Sequence, residues 1–237
     1  MTRTPSTRAR RAPRATILDY GVGNLHSLVK ALTAAGAQVS VDPDTDAALD
    51  TDLLVLPGVG AFSAAAEHLT GTGEQVRSAL AAGLPALGIC LGMQMLFSGS
   101  DEGPGAGLGV IDGRVTRVRA QRVPHMGWNT VDVVSRGGSI PDTVEGRLAR
   151  AGTIEAYYAN GYACRPVEER IVTAWTTVDA DRFPAVIRQQ RIIGVQFHPE
   201  KSGLTGLRFL RGVVDAVQAS LAPGVARRKN EDRSVPP

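Results

Sequence analysis

A cysteine between two glycines is the strongest chemical signal in the chain. Cys90 follows an apolar run and precedes a helical pattern, with Gly88 and Gly92 two residues away on either side. Small flanking residues allow a tight strand-to-helix turn with the side chain at its tip. A helix N-terminus favours the thiolate, and the amide of Leu91 is placed to stabilise an oxyanion. The pattern indicates a nucleophile; the alternative is a buried structural cysteine in a tight turn.

A nucleophilic cysteine needs a base, and the chain has four histidines. His26 and His68 fall on predicted helices, and His125 falls in a predicted loop. His198 comes at the end of a predicted strand, and Glu200 lies two residues later, so both side chains can face the same side. The carboxylate can then hold the imidazole tautomer and stabilise its charged form. Taken alone, His-Pro-Glu fits an ordinary loop equally well; taken with Cys90, it indicates a catalytic triad.

The first half of the chain predicts strands and helices in alternation, and these elements must position the candidate catalytic residues. Apolar runs predict strands at 16–20, 38–41, 53–56 and 85–89. Helical patterns are predicted over 24–35, ended by Gly36, and over 61–82 with a break at 71–73. This order predicts a parallel, doubly wound sheet with right-handed crossovers.

The second half of the chain has a different pattern. Short strands are predicted at 110–119, 130–135, 171–178, 184–190 and 191–197. A last helix is predicted over 203–220, with Leu204 and Leu207 on its apolar face. We therefore expect an α/β fold with a mostly parallel, doubly wound sheet and an antiparallel extension.

The charge lies mainly at the two ends. The net charge is +3, but residues 1–14 hold five arginines and no acid, and residues 222–237 hold four bases and two acids. We expect both segments to be disordered tails around one domain at 15–221. The mildly acidic body argues against a nucleic-acid binder, and the lack of a long apolar stretch argues against a membrane span. Two cysteines fit the reducing cytoplasm, with Cys164 as a structural residue.

The motifs resemble those of the class I, or triad, glutamine amidotransferases. The segments that carry this resemblance are 88–94 and 196–200. Four further segments resemble the glutaminase-subunit family of imidazole glycerol phosphate synthases: 19–24, 57–62, 124–129 and 198–202. The resemblance covers about residues 15–221.

The resemblance implies a set of roles. Cys90 would attack the glutamine carboxamide, His198 would transfer protons, and Glu200 would orient His198. No metal or cofactor is implied, and the Cys and His spacings match no zinc pattern. The residues implied to bind the oxyanion and glutamine are Gly58, Val59, Gly60, Leu91, Gln94, Gly161 and Tyr162.

The resemblance also implies a partner, a (β/α)₈-barrel cyclase subunit that forms a heterodimer with the chain and receives the ammonia. Met126, Trp128 and Lys201 are the candidates for the partner interface; local packing, or a solvated lysine, is the alternative for them. One departure leaves another possibility open. Asn160 stands where the family usually has histidine, which would suit a paralogue supplying a different synthase. A catalytically silent subunit is disfavoured because the triad is intact.

Overall fold

The fold is an eight-stranded sheet with helices on both faces. The computed structural model describes residues 11–21, 25–135, 138–139 and 142–221. The strand order is β2-β1-β3-β4-β12-β11-β10-β7. The first five strands are parallel, and β11, β10 and β7 extend the sheet in antiparallel pairs. The predicted fold class is therefore confirmed.

The main sheet and its helices have the following bounds. The strands are β1 Arg14–Leu18, β2 Gln38–Asp42, β3 Leu53–Leu56, β4 Ala86–Ile89, β7 Asp132–Val133, β10 Val172–Val178, β11 Asp181–Gln189 and β12 Ile192–Val195. The helices are α1 His26–Ala34, α2 Thr45–Leu49, α3 Phe62–His68, α4 Gly73–Ala81, α5 Leu91–Gln94, α6 Val144–Arg150 and α7 Gly203–Ser220.

Two small antiparallel pairs lie beside the main sheet. The first joins β5 Gly113–Arg117 to β9 Tyr162–Pro166, and the second joins β6 His125–Thr130 to β8 Glu155–Asn160. The sequence predicts a loop at His125, which is wrong because its segment alternates in exposure and pairs with β8.

The central strands β3, β4 and β12 are buried along their whole length. Their near-continuous apolar sequences fit strands covered on both faces. One apolar cluster lies under α1 and α7, and the other lies under α2 to α5. The three strands are neighbours, so their carboxyl ends meet at one edge of the sheet. Ligands of open α/β sheets bind at that edge.

Several predicted boundaries need correction. Arg14, assigned to the N-terminal tail, is the first residue of β1, and Arg11 already forms an ion pair with Asp52 at 2.5 Å. The sequence predicts Leu204 on the apolar face of α7, but its side chain is 72% exposed; it is the second residue of the helix and lies in the first turn, ahead of the buried stretch. The rest of both predicted tails, residues 1–10 and 222–237, lies outside the described residues.

Candidate active site

Cys90 sits at the tip of a strained turn between β4 and α5. Its backbone has φ +45° and ψ −102°, a conformation that residues with a side chain rarely adopt. Its own amide donates to the Val195 carbonyl at 2.7 Å, which ties the turn to the end of β12. The turn between strand and helix is the one that the sequence predicts, and it places the thiol at the carboxyl edge of the sheet.

The two flanking glycines are required by close backbone packing. A Cβ on Gly92 would lie 2.0 Å from the Leu56 carbonyl oxygen, and one on Gly88 would lie 2.7 Å from the Gly92 carbonyl oxygen. These obstacles are main-chain atoms, so rotating a side chain cannot relieve them. The Gly-x-Cys-x-Gly spacing is what lets α5 start against the end of β3.

Gly92→Ala should therefore destabilise the protein. We expect a loss of about 3 kcal/mol, because β3 or α5 must shift to admit the methyl group. Thermal unfolding would show this as a midpoint lower by about 10 °C. Gly73→Ala is the matched control, because its Cβ would meet nothing closer than Leu108 Cδ2 at 3.7 Å. If the Gly92→Ala protein unfolded at the same midpoint temperature as the Gly73→Ala control, the steric argument would be contradicted.

His198 is held beside Cys90 by its main chain and by a carboxylate. Its amide donates to the Tyr157 carbonyl at 2.8 Å, and Ser202 Oγ donates to its carbonyl at 2.7 Å. Its Nδ1 lies 2.8 Å from Glu200 Oε1, in a pair whose side chains are 1% and 8% exposed. The other ring nitrogen, Nε2, is left for the thiol.

The site stabilises the charged imidazole. Burial by itself lowers the pKa of His198, but hydrogen bonds and charge interactions with Cys90 and Glu200 outweigh it and raise the pKa to about 10. An imidazolium at neutral pH is the state that can protonate a leaving group. Burial raises the pKa of the Cys164 thiol well above its ordinary value, which fits a structural residue.

A cavity of about 180 Å³ lies over this pair. Cys90 and His198 line it, and Lys201 lies at its border. The seven residues that the resemblance assigns to the oxyanion and glutamine all line it: Gly58, Val59, Gly60, Leu91, Gln94, Gly161 and Tyr162. Together with the loop that contains Glu102, five separate segments of the chain line this one small space.

Two backbone features suit oxyanion binding. The Leu91 amide starts α5, where the first N–H groups have no partner within the helix. Across the cavity, Gly60 has φ +124°, which is a strained conformation for any other residue. The Val59–Gly60 segment can therefore turn an amide toward the cavity at low steric cost.

Glu102 is a further residue of the cavity wall, and the sequence patterns do not predict it. Its Oε2 accepts from the Phe62 amide at 3.0 Å, which fixes the carboxylate at the start of α3. No local motif marks Glu102, because it lies in the irregular loop between α5 and β5. It brings a negative charge to a cavity that already has amide and thiol groups.

Asn160 also lines the cavity and replaces the usual histidine with an amide. Its Nδ2 donates to the Tyr162 carbonyl at 3.0 Å, and Gln94 Nε2 donates to the same oxygen at 3.1 Å. Although asparagine replaces the usual histidine, position 160 still provides a hydrogen-bond donor, and this bond anchors the turn at Gly161.

The three residues predicted to bind a partner lie close to the cavity. Met126 and Trp128 are 65% and 55% exposed on β6. The Trp128 ring meets the edge of Tyr157 at 6.3 Å, and Lys201 Nζ lies 6.0 Å from the same Tyr157 ring. Large exposed apolar side chains beside a cavity are typical of a docking surface.

Within the described part of the chain, no group of three or more His, Cys, Asp or Glu side chains could hold a metal ion. The helices of that same part include none long and apolar enough to cross a membrane.

Comparisons with known proteins match the geometry. Residues 16–212 match the family described as "Glutamine amidotransferase class-I". The imidazole glycerol phosphate synthase subunit HisH of Acaryochloris marina is 40% identical over 215 residues, which cover 89% of this chain and 98% of that protein. The HisH subunit of Halobacterium salinarum is 42% identical over 208 residues, covering 84% and 91%.

A solved structure shows the same fold at lower identity. A chain in the structure of PurLQS from Thermotoga maritima has a TM-score of 0.67 and is 21% identical, covering 89% of this chain and all of that one.

Proposed function

The chain belongs to the class I glutamine amidotransferases, and we propose that it is the glutaminase subunit of an imidazole glycerol phosphate synthase. The observation that carries the chemistry is the buried Cys90, His198 and Glu200 arrangement at a cavity of about 180 Å³. The assignment to this particular synthase is supported by 36–42% sequence identity to HisH subunits over most of the chain.

Acylation follows from the thiolate and imidazolium pair. Cys90 Sγ attacks the side-chain carbonyl carbon of glutamine, after its proton has passed to His198 Nε2. The tetrahedral oxyanion lies between the Leu91 amide and the Val59–Gly60 segment. His198 then protonates the leaving nitrogen, and the C–N bond breaks. Ammonia departs, and a γ-glutamyl thioester remains on Cys90.

Deacylation reuses the same base. His198, now neutral, takes a proton from water, and the resulting hydroxide attacks the thioester carbonyl. The C–S bond breaks, glutamate is released, and the proton returns to the Cys90–His198 pair. The Glu200 carboxylate holds the ring at Nδ1 and stabilises each imidazolium that forms.

The polar wall of the cavity suits the amino-acid end of glutamine. The Glu102 carboxylate can form an ion pair with the α-ammonium group of glutamine. Gln94 and the Gly161–Tyr162 backbone offer polar contacts to the same end of the substrate. Because Glu102 is fixed by the Phe62 amide, its charge is preorganised before the substrate arrives.

We further propose that the ammonia passes to a (β/α)₈-barrel cyclase subunit in a cytoplasmic heterodimer. Met126, Trp128 and Lys201 supply the interface, combining exposed apolar surface with one positive charge beside the cavity. The barrel would join the ammonia to its phosphoribosylated nucleotide intermediate. A cytoplasmic location keeps the Cys90 thiol reduced.

A mixing assay tests this function. The full chain should hydrolyse glutamine slowly alone and much faster with the barrel subunit and its nucleotide substrate, because the two sites are coupled. The assay measures glutamate and imidazole glycerol phosphate. Equal glutaminase activity with and without the barrel would contradict the synthase assignment and favour the paralogue that Asn160 leaves open.

Trp128→Ala should weaken partner binding while leaving the fold intact. Trp128 is half exposed and lies two residues from the exposed Met126 on the same face of β6. Tryptophan is common among binding hot spots, so we expect Kd to rise about 10- to 100-fold. Titration of the barrel subunit by calorimetry measures this. Val167→Ala is the control, an exposed apolar residue outside β6. Unchanged affinity for the Trp128 variant would remove this residue from the interface.

A further inference from the structure

Gln196 is a buried amide beside the reactive sulfur. Its side-chain Nε2 lies 3.4 Å from Cys90 Sγ, and the residue is fully buried. Its backbone amide donates to the Ala185 carbonyl at 3.0 Å, which fixes it at the end of β12. The reaction steps above do not use Gln196.

Burial makes this amide unusual. The four residues of β12 before it are apolar or glycine, and Gln196 Oε1 has no hydrogen-bond partner among the described residues. An unpartnered buried amide oxygen is destabilising, and a methionine would fill a similar volume without that penalty. A favourable hydrogen bond from the Gln196 amide to the Cys90 sulfur would offset this destabilisation.

We propose that Gln196 is a further catalytic residue, whose Nε2–H donates a hydrogen bond to the Cys90 thiolate and stabilises it before attack. This inference rests on the proposed glutaminase function. The proton of the thiol still goes to His198, and Gln196 transfers none. When the C–S bond forms, the sulfur loses its charge and the hydrogen bond weakens, so Gln196 acts on the free enzyme.

Other charged or titratable groups also surround the thiol, and the variants below leave them in place. They are His198 and Glu200 after β12, Cys164 on β9, Tyr162 and Lys201 at the cavity, and Glu102 in the loop after α5. A change seen on replacing Gln196 can therefore be assigned to its amide.

The test is the pH dependence of Cys90 alkylation by iodoacetamide in the full chain. Gln196→Met removes the donor at nearly constant volume. Gln189→Met is the matched control, because Gln189 is a half-buried glutamine whose Nε2 donates to the Val110 carbonyl at 3.1 Å. Cys90→Ala corrects for any labelling of Cys164, and the ultraviolet absorbance of the thiolate gives a second measurement.

For Gln196→Met, we expect the alkylation midpoint to move about one pH unit upward, since a hydrogen bond to a charged group contributes about a tenfold preference. The acid limb of kcat/KM with the barrel subunit should move equally, so the rate falls about tenfold at low pH and little at high pH. A merely structural loss would lower the rate at every pH. Gln196→Leu, which also removes the donor and adds no charge, should move the midpoint by a similar amount and decides the test if the methionine variant does not fold.

A Gln196→Met profile that coincides with that of the Gln189→Met control would overturn the inference. A downward shift would also overturn it, because the amide would then present Oε1 to a neutral thiol. Failure of the proposed function looks different: the unmodified protein itself would then show no Cys90-dependent glutaminase activity with the barrel subunit.

Discussion

Cys90→Ala should abolish glutamine hydrolysis, with a loss in kcat of about 10⁴-fold or more, because no thioester can form. The cavity, His198 and the oxyanion donors all remain, so the variant should still bind glutamine. It should also still bind the barrel subunit, because the proposed interface lies on β6 and at Lys201. Glutamate release with the barrel present measures the first effect, and calorimetric titration measures the second.

Cys164→Ala is the matched control for this prediction. Cys164 is the other cysteine of the chain and is fully buried, with its thiol pKa raised by burial. Its replacement should lower stability slightly and leave kcat near that of the unmodified protein. Substantial hydrolysis by Cys90→Ala would remove Cys90 as the nucleophile, and loss of activity in both variants would point to damage of the shared core.

The sequence carries enough to predict the Cys90 turn, the facing of His198 and Glu200, and the strands of the parallel sheet, because these depend on short-range patterns. Gly88, Cys90 and Gly92 specify their own turn, and His198 and Glu200 share a face through their spacing. The buried runs of β3 and β4 are too apolar for a solvent-facing strand. Where the position of a side chain depends on residues close to it in sequence, the prediction from the sequence agrees with the structure.

Some missed elements also had local signals. Asp44 caps α2 through the Ala47 amide at 2.9 Å, and Thr143 caps α6 through the Gly146 amide at 3.1 Å. Both are strong N-cap residues. The helices that follow are short, with five and seven residues, and too few for a clear apolar period. The caps alone could have indicated them.

Other features could not be predicted, because they arise between distant segments. Glu102 reaches the cavity only because its loop returns to the start of α3. Gln196 is next to Cys90 only because β12 lies beside β4. The β6–β8 pair that carries Trp128 was missed since Gly127 and Asn129 suggest a turn, and pairing with Tyr157 overrides that preference.

Glu200→Gln should lower kcat by about 10² to 10⁴-fold and change its pH dependence. Glu200 is one of the two groups that raise the pKa of His198 to about 10, so removing its charge lowers that pKa. The imidazolium is then lost at lower pH, and the alkaline limb of kcat/KM should move to lower pH by more than one unit. A pH–rate profile with the barrel subunit measures both effects.

The sign of this shift separates a charge effect from simple damage. The glutamine amide can still hydrogen-bond His198 Nδ1, but it brings no negative charge to stabilise the imidazolium. Glu155→Gln, at an exposed carboxylate at the start of β8, should leave both limbs in place. An alkaline limb that stays fixed while kcat falls would show that Glu200 only orients the ring. A limb that moves to higher pH would mean that Glu200 does not stabilise the charged histidine, and the triad assignment would lose its electrostatic basis.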